Sequence, residues 1–462
     1  MGHTKGACPM LKQQKIAMET REQHDEYLKA AQSLDWDAVY NDISALLKSN
    51  RPDIYPADDM LDGSTSYGPF FIRQAWHCAG SYRTSDGLGG CAGGRQRFDP
   101  ELSWPDNTNL DKAKRLLYPI KEKYGLGLSW GDLIILTGKV AIEEGGFPGQ
   151  IGFCAGRPDQ VDGSQSILMG PTTEQKAIYP CTVNGECVYP FGATTIGLIY
   201  VNPGGVLGDY INLEKTAEAI NQTFGLMAMN AEETVALIGG GHAFGKTHGA
   251  CKIDESKFLP PDQNPSNPWP ISICPNGTFT TGFEGYWTGS PKMWSNAYFK
   301  ILAKDGGRFA PVQASGGQYQ YTINGANSKF MMLPSDISLA RDPVYASYVQ
   351  AFAANTTYLS QVFGAAWYKL TTRDMGPISR CLNIKINGTY QLPPAQPFQY
   401  PLPPPRTPLP DFGQVRLSIH NILYTSASVV PPGFSADYVN GEGCLSLIVF
   451  FFFCLSLSFF FS

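Results

Sequence analysis

MAMNAEETVALIGGGHAFGKTHG, residues 227–249, opens with a helix start and closes in glycines around a histidine. Asn230 followed three residues later by Glu233 forms a capping-box pattern ahead of the apolar run Val235–Ile238, which predicts a helix over 231–243. Glycines 239–241 remove side-chain bulk just before His242, so a flat group could approach the backbone closely there. Gly240 to Thr247 also reads Gly-x-x-x-x-Gly-Lys-Thr, a phosphate-cradling pattern. That pattern needs a strand before it and a helix after it, whereas here a helix comes first. A zinc site is weakly supported too, because His242 and His248 are six apart and no His-Glu-x-x-His occurs.

Outward from this stretch, helical spacing of apolar residues predicts further helices over 34–47, 69–83, 109–124, 129–143, 213–226 and 344–369. Strand patterns are few. The stretches 145–212 and 253–290 are rich in glycine and proline with little periodicity, and long loops inside a compact domain are usually functional. The expected fold is mostly α with long inserted loops. The chain has 462 residues, 43% hydrophobic and 16% charged, which excludes a largely disordered chain and a multi-span membrane protein. Its 35 Lys and Arg against 40 Asp and Glu leave a net charge of -5, so no basic surplus points to nucleic acid.

Residues 1–30 read as a polar surface arm with no apolar signal-peptide core, and residues 31–392 as the main helical domain. Nine prolines between Pro393 and Pro410 predict an extended linker over 393–410. Beyond it, Asp35-Trp36-Asp37-Ala38-Val39 through Ile43 to Leu47 reappears as Asp411-Phe412-Gly413-Gln414-Val415 through Ile419 to Leu423. This repeat marks 411–443 as the start of a duplicated domain that then stops. The segment 444–462 is apolar and of low complexity. Its last 18 residues are long enough for a tail anchor, yet they have the composition of a translated pyrimidine-rich tract, and that artefactual reading is preferred. A membrane location is not expected. Eleven cysteines include no C-x-x-C pair; Cys181 and Cys187 bracket a short loop and are either a disulfide or two unrelated thiols.

Only six histidines limit the chemistry. His77 lies in the apolar helical stretch 70–77, where Arg73, Trp76 and His77 share one face. A neutral imidazole beside a fixed cation suits the splitting of a peroxide: the histidine moves a proton between the two oxygens, and the arginine stabilises the departing charge. A core histidine with a chance arginine neighbour is the alternative on these residues alone. His242 suits an axial haem ligand, with a carboxylate behind its other ring nitrogen.

Seven segments together resemble the bifunctional catalase-peroxidases, which stand with the class I haem peroxidases. They are IRQAWHCAGSYR (72–83), SWPDN (103–107), GLIYVNPGG (197–205), residues 227–249, WTGSPKMWSNAYF (287–299), SDISLARDPVY (335–345) and AWYKLTTRDMGP (366–377). The resemblance runs from about residue 35 to 392 and past the linker into the repeat. It implies a haem-peroxidase fold carrying one haem b, followed by a stub of a duplicated second domain. It implies Arg73, Trp76 and His77 as the distal triad, Asn107 as the partner of the distal histidine, and Asp106 at the mouth of the peroxide channel. His242 is implied as the proximal ligand, bonded with Trp287 and Asp336. Trp76, Tyr200 and Met227 match the side chains cross-linked into a Met-Tyr-Trp adduct, and Arg380 the mobile arginine that swings toward it. Thr281 stands at the channel edge where many relatives have Ser, and Asn202-Pro203-Gly204-Gly205 lacks the Glu of the family's Asn-Pro-Glu-Gly.

The expected activity is decomposition of hydrogen peroxide to water and dioxygen, with peroxide-driven oxidation of small electron donors, in defence against oxidative stress. The alternatives are a monofunctional class I peroxidase and an inactive haem-binding product of a truncated gene model. A soluble, cytoplasmic location is preferred to secretion, and a homodimer is compatible with the resemblance.

Overall fold

The structure is a computed structural model. It describes residues 21–84, 87–104, 107, 109–169, 204–205, 209–247, 282–315, 317–323, 325, 328–400, 411, 413–414 and 416–417. Ala17–Pro401 forms one compact unit, and Met1–Ile16 with Leu402–Ser462 forms another. Among the described residues of the larger unit are eleven α-helices: α1 (Arg21–Gln32), α2 (Trp36–Leu47), α3 (Gly68–Ala79), α4 (Leu110–Tyr124), α5 (Trp130–Glu144), α6 (Leu213–Leu226), α7 (Ala231–Gly241), α8 (Ala297–Asp305), α9 (Pro334–Arg341), α10 (Pro343–Ala354) and α11 (Thr356–Thr372). The strands among the described residues form four antiparallel pairs: Asp58–Asp59 with Thr65–Ser66, Lys246–Thr247 with Gly285–Tyr286, Ala310–Gln313 with Tyr319–Thr322, and Lys385–Ile386 with Thr389–Tyr390.

The frame is built around α5, which is buried on every side from Trp130 to Ile142. A helix apolar all round belongs in a core. It starts where the Ser129 hydroxyl accepts the Asp132 amide at 3.0 Å. Helix α3 crosses α5 closely: a Cβ on Gly138 would lie 2.4 Å from the Ala75 Cβ. The small pair Gly138 and Ala75 therefore sets how near the histidine-bearing helix comes to the core. Helix α11 packs against both α3 and α7, so one element orients both histidine-bearing helices.

Helix α7 starts as its sequence predicts. Asn230 Oδ1 accepts the Glu233 amide at 2.8 Å, and Glu233 Oε2 accepts the Asn230 amide at 2.9 Å. The run expected as one helix over 344–369 is two, because Asn355 leaves helical geometry and its side chain caps α11 by accepting the Tyr358 amide at 3.0 Å. The polar arm expected over 1–30 is helical from Arg21. Its Tyr27 is buried and donates to Asp132 Oδ2 at 2.7 Å, so this segment is part of the core. Asp132 also meets the fully buried Arg157 at 2.9 Å, which satisfies two charges that could not be buried singly. The compact unit extends past the boundary expected at Leu392. Gln399 is fully buried and donates to the Tyr368 hydroxyl at 2.9 Å, which ties the first part of the proline-rich segment to α11.

Among the described residues two disulfides brace the unit, Cys78–Cys91 and Cys154–Cys381, with sequence separations of 13 and 227. In the chain-entropy picture such cross-links stabilise by about 3 kcal/mol for a short loop and about 5 kcal/mol for a very long one. Neither pair was indicated by cysteine spacing, whereas Cys181 and Cys187 lie outside the described residues.

Candidate active site

Distal side. Arg73, Trp76 and His77 all retain partial exposure on α3, although the residues around them, Ile72, Gln74, Ala75 and Cys78, are buried. They therefore lie off the fully packed face of α3. His77 Nδ1 lies 3.0 Å from Asn107 Oδ1, and Asn107 Nδ2 donates to the Glu101 carbonyl at 2.7 Å. The second bond fixes the amide orientation, so Asn107 presents an acceptor and His77 carries its proton on Nδ1. Nε2 is then the basic nitrogen. Burial, followed by the neighbouring Arg73 charge, pushes the His77 pKa down to about 3, and the Asn107 bond only partly opposes them. His77 is a neutral base across the whole physiological range.

The wall behind Asn107 was not indicated by the sequence. The buried Glu101 carboxylate accepts the Ser166 hydroxyl and faces Arg95 Nε at 3.4 Å. Arg95 donates in turn to the carbonyls of Gly89, Gly90 and Ala92. The loop so held carries Cys91, and its disulfide with Cys78 fastens α3 one residue beyond His77. These partners come from loops far from His77 in the chain, so no periodicity reports them.

Proximal side. His242 ends α7 with its Nδ1 at 2.8 Å from Asp336 Oδ1. Asp336 is fully buried; its Oδ2 accepts Trp287 Nε1 at 3.0 Å and the Leu333 amide at 2.7 Å. Burial alone would raise the Asp336 pKa, but His242, the Tyr298 hydroxyl and the Leu333 amide outweigh it and hold the carboxyl below its usual value. The Trp287 indole stacks on the imidazole with centroids 4.1 Å apart and planes 11° apart. Nδ1 is occupied, so Nε2 is the ring nitrogen that could hold a metal.

The glycines before His242 do a different job from the one expected. A Cβ on Gly239 would come within 2.2 Å of Phe299, and one on Gly240 within 2.3 Å of Phe363. These two serve helix packing. Only at Gly241 would a Cβ meet nothing within 4 Å, so the room beside His242 lies there. The segment then enters the strand Lys246–Thr247, so helix precedes strand and the phosphate-loop order is reversed. Among the described residues no group of three or more His, Cys, Asp or Glu could hold a bare metal ion.

Of the other expected site residues, Met227 is buried just past the end of α6, and the Phe224 ring of the same turn has its centroid 5.5 Å from that of Trp76. Arg380 is exposed at the end of the turn Ile378–Arg380, immediately before Cys381 of the second disulfide. Asp106, Tyr200 and Thr281 lie outside the described residues.

One helix thus carries a neutral imidazole held by Asn107 and another ends in an imidazole backed by a buried carboxylate. The chain belongs to the peroxidase family, whose model matches residues 55–355. It is 42% identical over 391 residues to the catalase-peroxidase of Natronomonas pharaonis, a match covering 80% of this chain and 53% of that protein. It is 40% identical over 415 residues to the catalase-peroxidase of Rhodopirellula baltica, covering 85% and 47%. With catalase-peroxidase 2 of a Shewanella species, strain MR-7, it shares 41% over 428 residues, covering 88% and 55%. The chain thus spans about half the length of the curated relatives it matches. Family membership implies haem b as the cofactor. The donor set fits: an imidazole backed by a buried carboxylate, with its other ring nitrogen unused, could hold haem iron.

Proposed function

We propose that this chain is the haem-binding half of a catalase-peroxidase, decomposing hydrogen peroxide to water and dioxygen and oxidising small donors with it. The observation that carries this reading is the His77–Asn107 pair at 3.0 Å, with the His77 pKa held at about 3. Bound haem b, held by His242 Nε2, supplies the redox-active iron. The protein supplies proton movement: His77 Nε2 takes a proton from one peroxide oxygen and returns it to the other, which leaves as water. Arg73 stabilises the charge that develops on the departing oxygen. In the dioxygen-evolving cycle two peroxides yield two waters and one dioxygen, so the second peroxide is oxidised. Trp76, Tyr200 and Met227 are assigned to that second oxidation, with Arg380 as the arginine that serves it and Asp106 and Thr281 at the peroxide entrance. The approach of the α6 end to Trp76 supports the grouping.

Tyr200→Phe tests this assignment. It should remove most dioxygen evolution while oxidation of a small aromatic donor persists, because His77 and Arg73 are untouched. Equal dioxygen evolution in both proteins would leave a monofunctional peroxidase. Loss of both activities with a lowered melting midpoint would make Tyr200 a packing residue instead.

The repeat after the linker supports reading 411–443 as the beginning of a duplicated domain. Asp411 Oδ1 accepts the amides of Gly413 and Gln414 at 2.8 and 3.3 Å, as Asp35 Oδ1 accepts the Ala38 amide at 3.0 Å at the start of α2. Among the described residues no helix is long and apolar enough to cross a membrane. The two disulfides favour folding in an oxidising compartment over the cytoplasm preferred from sequence. Mass mapping of the natively expressed protein without reduction should recover Cys78 joined to Cys91 and Cys154 joined to Cys381. Recovery of four free thiols would return the cytoplasmic reading.

A further inference from the structure

Tyr298, on α8, has no part in the scheme above, yet it touches the proximal carboxylate. Its hydroxyl donates to Asp336 Oδ1 at 2.6 Å, the same oxygen that lies 2.8 Å from His242 Nδ1. Asp336 Oδ2 is meanwhile engaged by the Trp287 indole and the Leu333 amide. The carboxylate therefore accepts four bonds, two on each oxygen, and the Tyr298 and Asp336 side chains are both fully buried. The tyrosine ring also meets the imidazole edge-on, with centroids 5.7 Å apart and planes at 73°.

A carboxylate behind a metal-bound imidazole raises the ligand's electron donation, because the stronger it draws the Nδ1 proton, the more negative the ring becomes. Each additional donor to that carboxylate takes up part of its charge. The Leu333 and Trp287 bonds act on Oδ2, whereas Tyr298 competes with His242 for Oδ1 itself. A short hydroxyl-to-carboxylate bond is among the strong hydrogen bonds, so this competitor is not a minor one.

We propose that Tyr298 is a positioning and tuning residue that weakens the Asp336–His242 hydrogen bond and so lowers the electron donation of His242 to bound haem iron. This rests on the assignment of His242 as the axial ligand. In its effect Tyr298 opposes Asp336: the carboxylate fixes the tautomer and direction of the imidazole, and the phenol limits how anionic the imidazole becomes. The ferrous state is thereby favoured relative to a site with an unshared Asp336 Oδ1.

The test is Tyr298→Phe in the haem-loaded full chain, a change that keeps the ring and removes only the hydroxyl. Resonance Raman spectroscopy of the ferrous protein should show the iron–histidine stretch moving to higher frequency. The ferric/ferrous potential should fall by about 59 mV for each tenfold gain in ferric preference, and a gain of roughly that size is expected. In the cofactor-free protein the His242 Nδ1–H resonance should move downfield as the bond to Asp336 shortens. Trp287→Phe serves as the comparison and should shift the stretch less, since its bond is to Oδ2. A lower melting midpoint in Tyr298→Phe with the stretch, potential and resonance unchanged would overturn the proposal and leave a structural hydroxyl. If instead the iron–histidine band survives in His242→Ala, the axial assignment itself fails, and that outcome is separate from the first.

Discussion

His77→Ala should lower the rate of peroxide cleavage by about 10²–10⁴-fold, the usual contribution of a positioned general acid–base, while haem stays bound. The side chain lies off the fully buried face of α3, so its loss leaves that packing unchanged. Both dioxygen evolution and donor oxidation should fall together, because both begin with the same proton movement. A stopped-flow measurement of the first reaction with peroxide, beside the Soret absorbance, separates cleavage from haem content. An unchanged cleavage rate would return His77 to the status of a core histidine.

The pH dependence follows from the same group. Its pKa is depressed from 6.5 to about 3, so the base form persists on acidification well past the point where a free imidazole would protonate. Cleavage should therefore show no acid limb near pH 6.5 that belongs to His77. Stability runs the other way. Between about pH 6.5 and 3 the unfolded chain binds a proton that folded His77 does not, so His77 makes folding less favourable as pH falls through that window. Asn107→Leu, which removes the bond holding the Nδ1 proton, should slow cleavage without moving the haem spectrum as far as a proximal change does.

His242→Ala should produce the opposite pattern, with haem retention lost first and activity lost with it. Removing an outer partner of a metal ligand costs about 10–100-fold in affinity, and removing the ligand should cost more. Asp336→Asn provides the scale: it keeps the shape, weakens the acceptor for His242, Tyr298, Trp287 and Leu333, and should fall within that range. Haem titration followed at the Soret band checks both. Full haem binding by His242→Ala with loss of binding by His77→Ala would mean that the two faces have been exchanged.

Several parts of this molecule could be read from neighbouring residues alone. The helix before His242 is one, since Asn230, Glu233 and an apolar run are all local, and the capping box forms as the spacing requires. The face shared by Arg73, Trp76 and His77 is another, because helical geometry alone places residues three and four apart together. The split at Asn355 was legible in principle, as an Asn followed by two threonines is a start signal, but continuous apolar residues on either side masked it.

What the local pattern could not decide was how far each histidine would be from water and what would stand behind it. The identity of His77 and His242 as the two chemically poised imidazoles is a property of the sequence, through their motifs. The depressed pKa of His77 and the four-bonded Asp336 are properties of the tertiary structure. Desolvation is set by everything that packs around a group, and Asn107, Glu101 and Arg95 reach His77 through loops of no regular period. Tyr298 and Asp336 are 38 residues apart and on different helices, and both disulfides join residues with no telling spacing. Such pairings arise when helices dock, because hydrogen bonds and cross-links depend on ångström distances that separation along the chain does not encode.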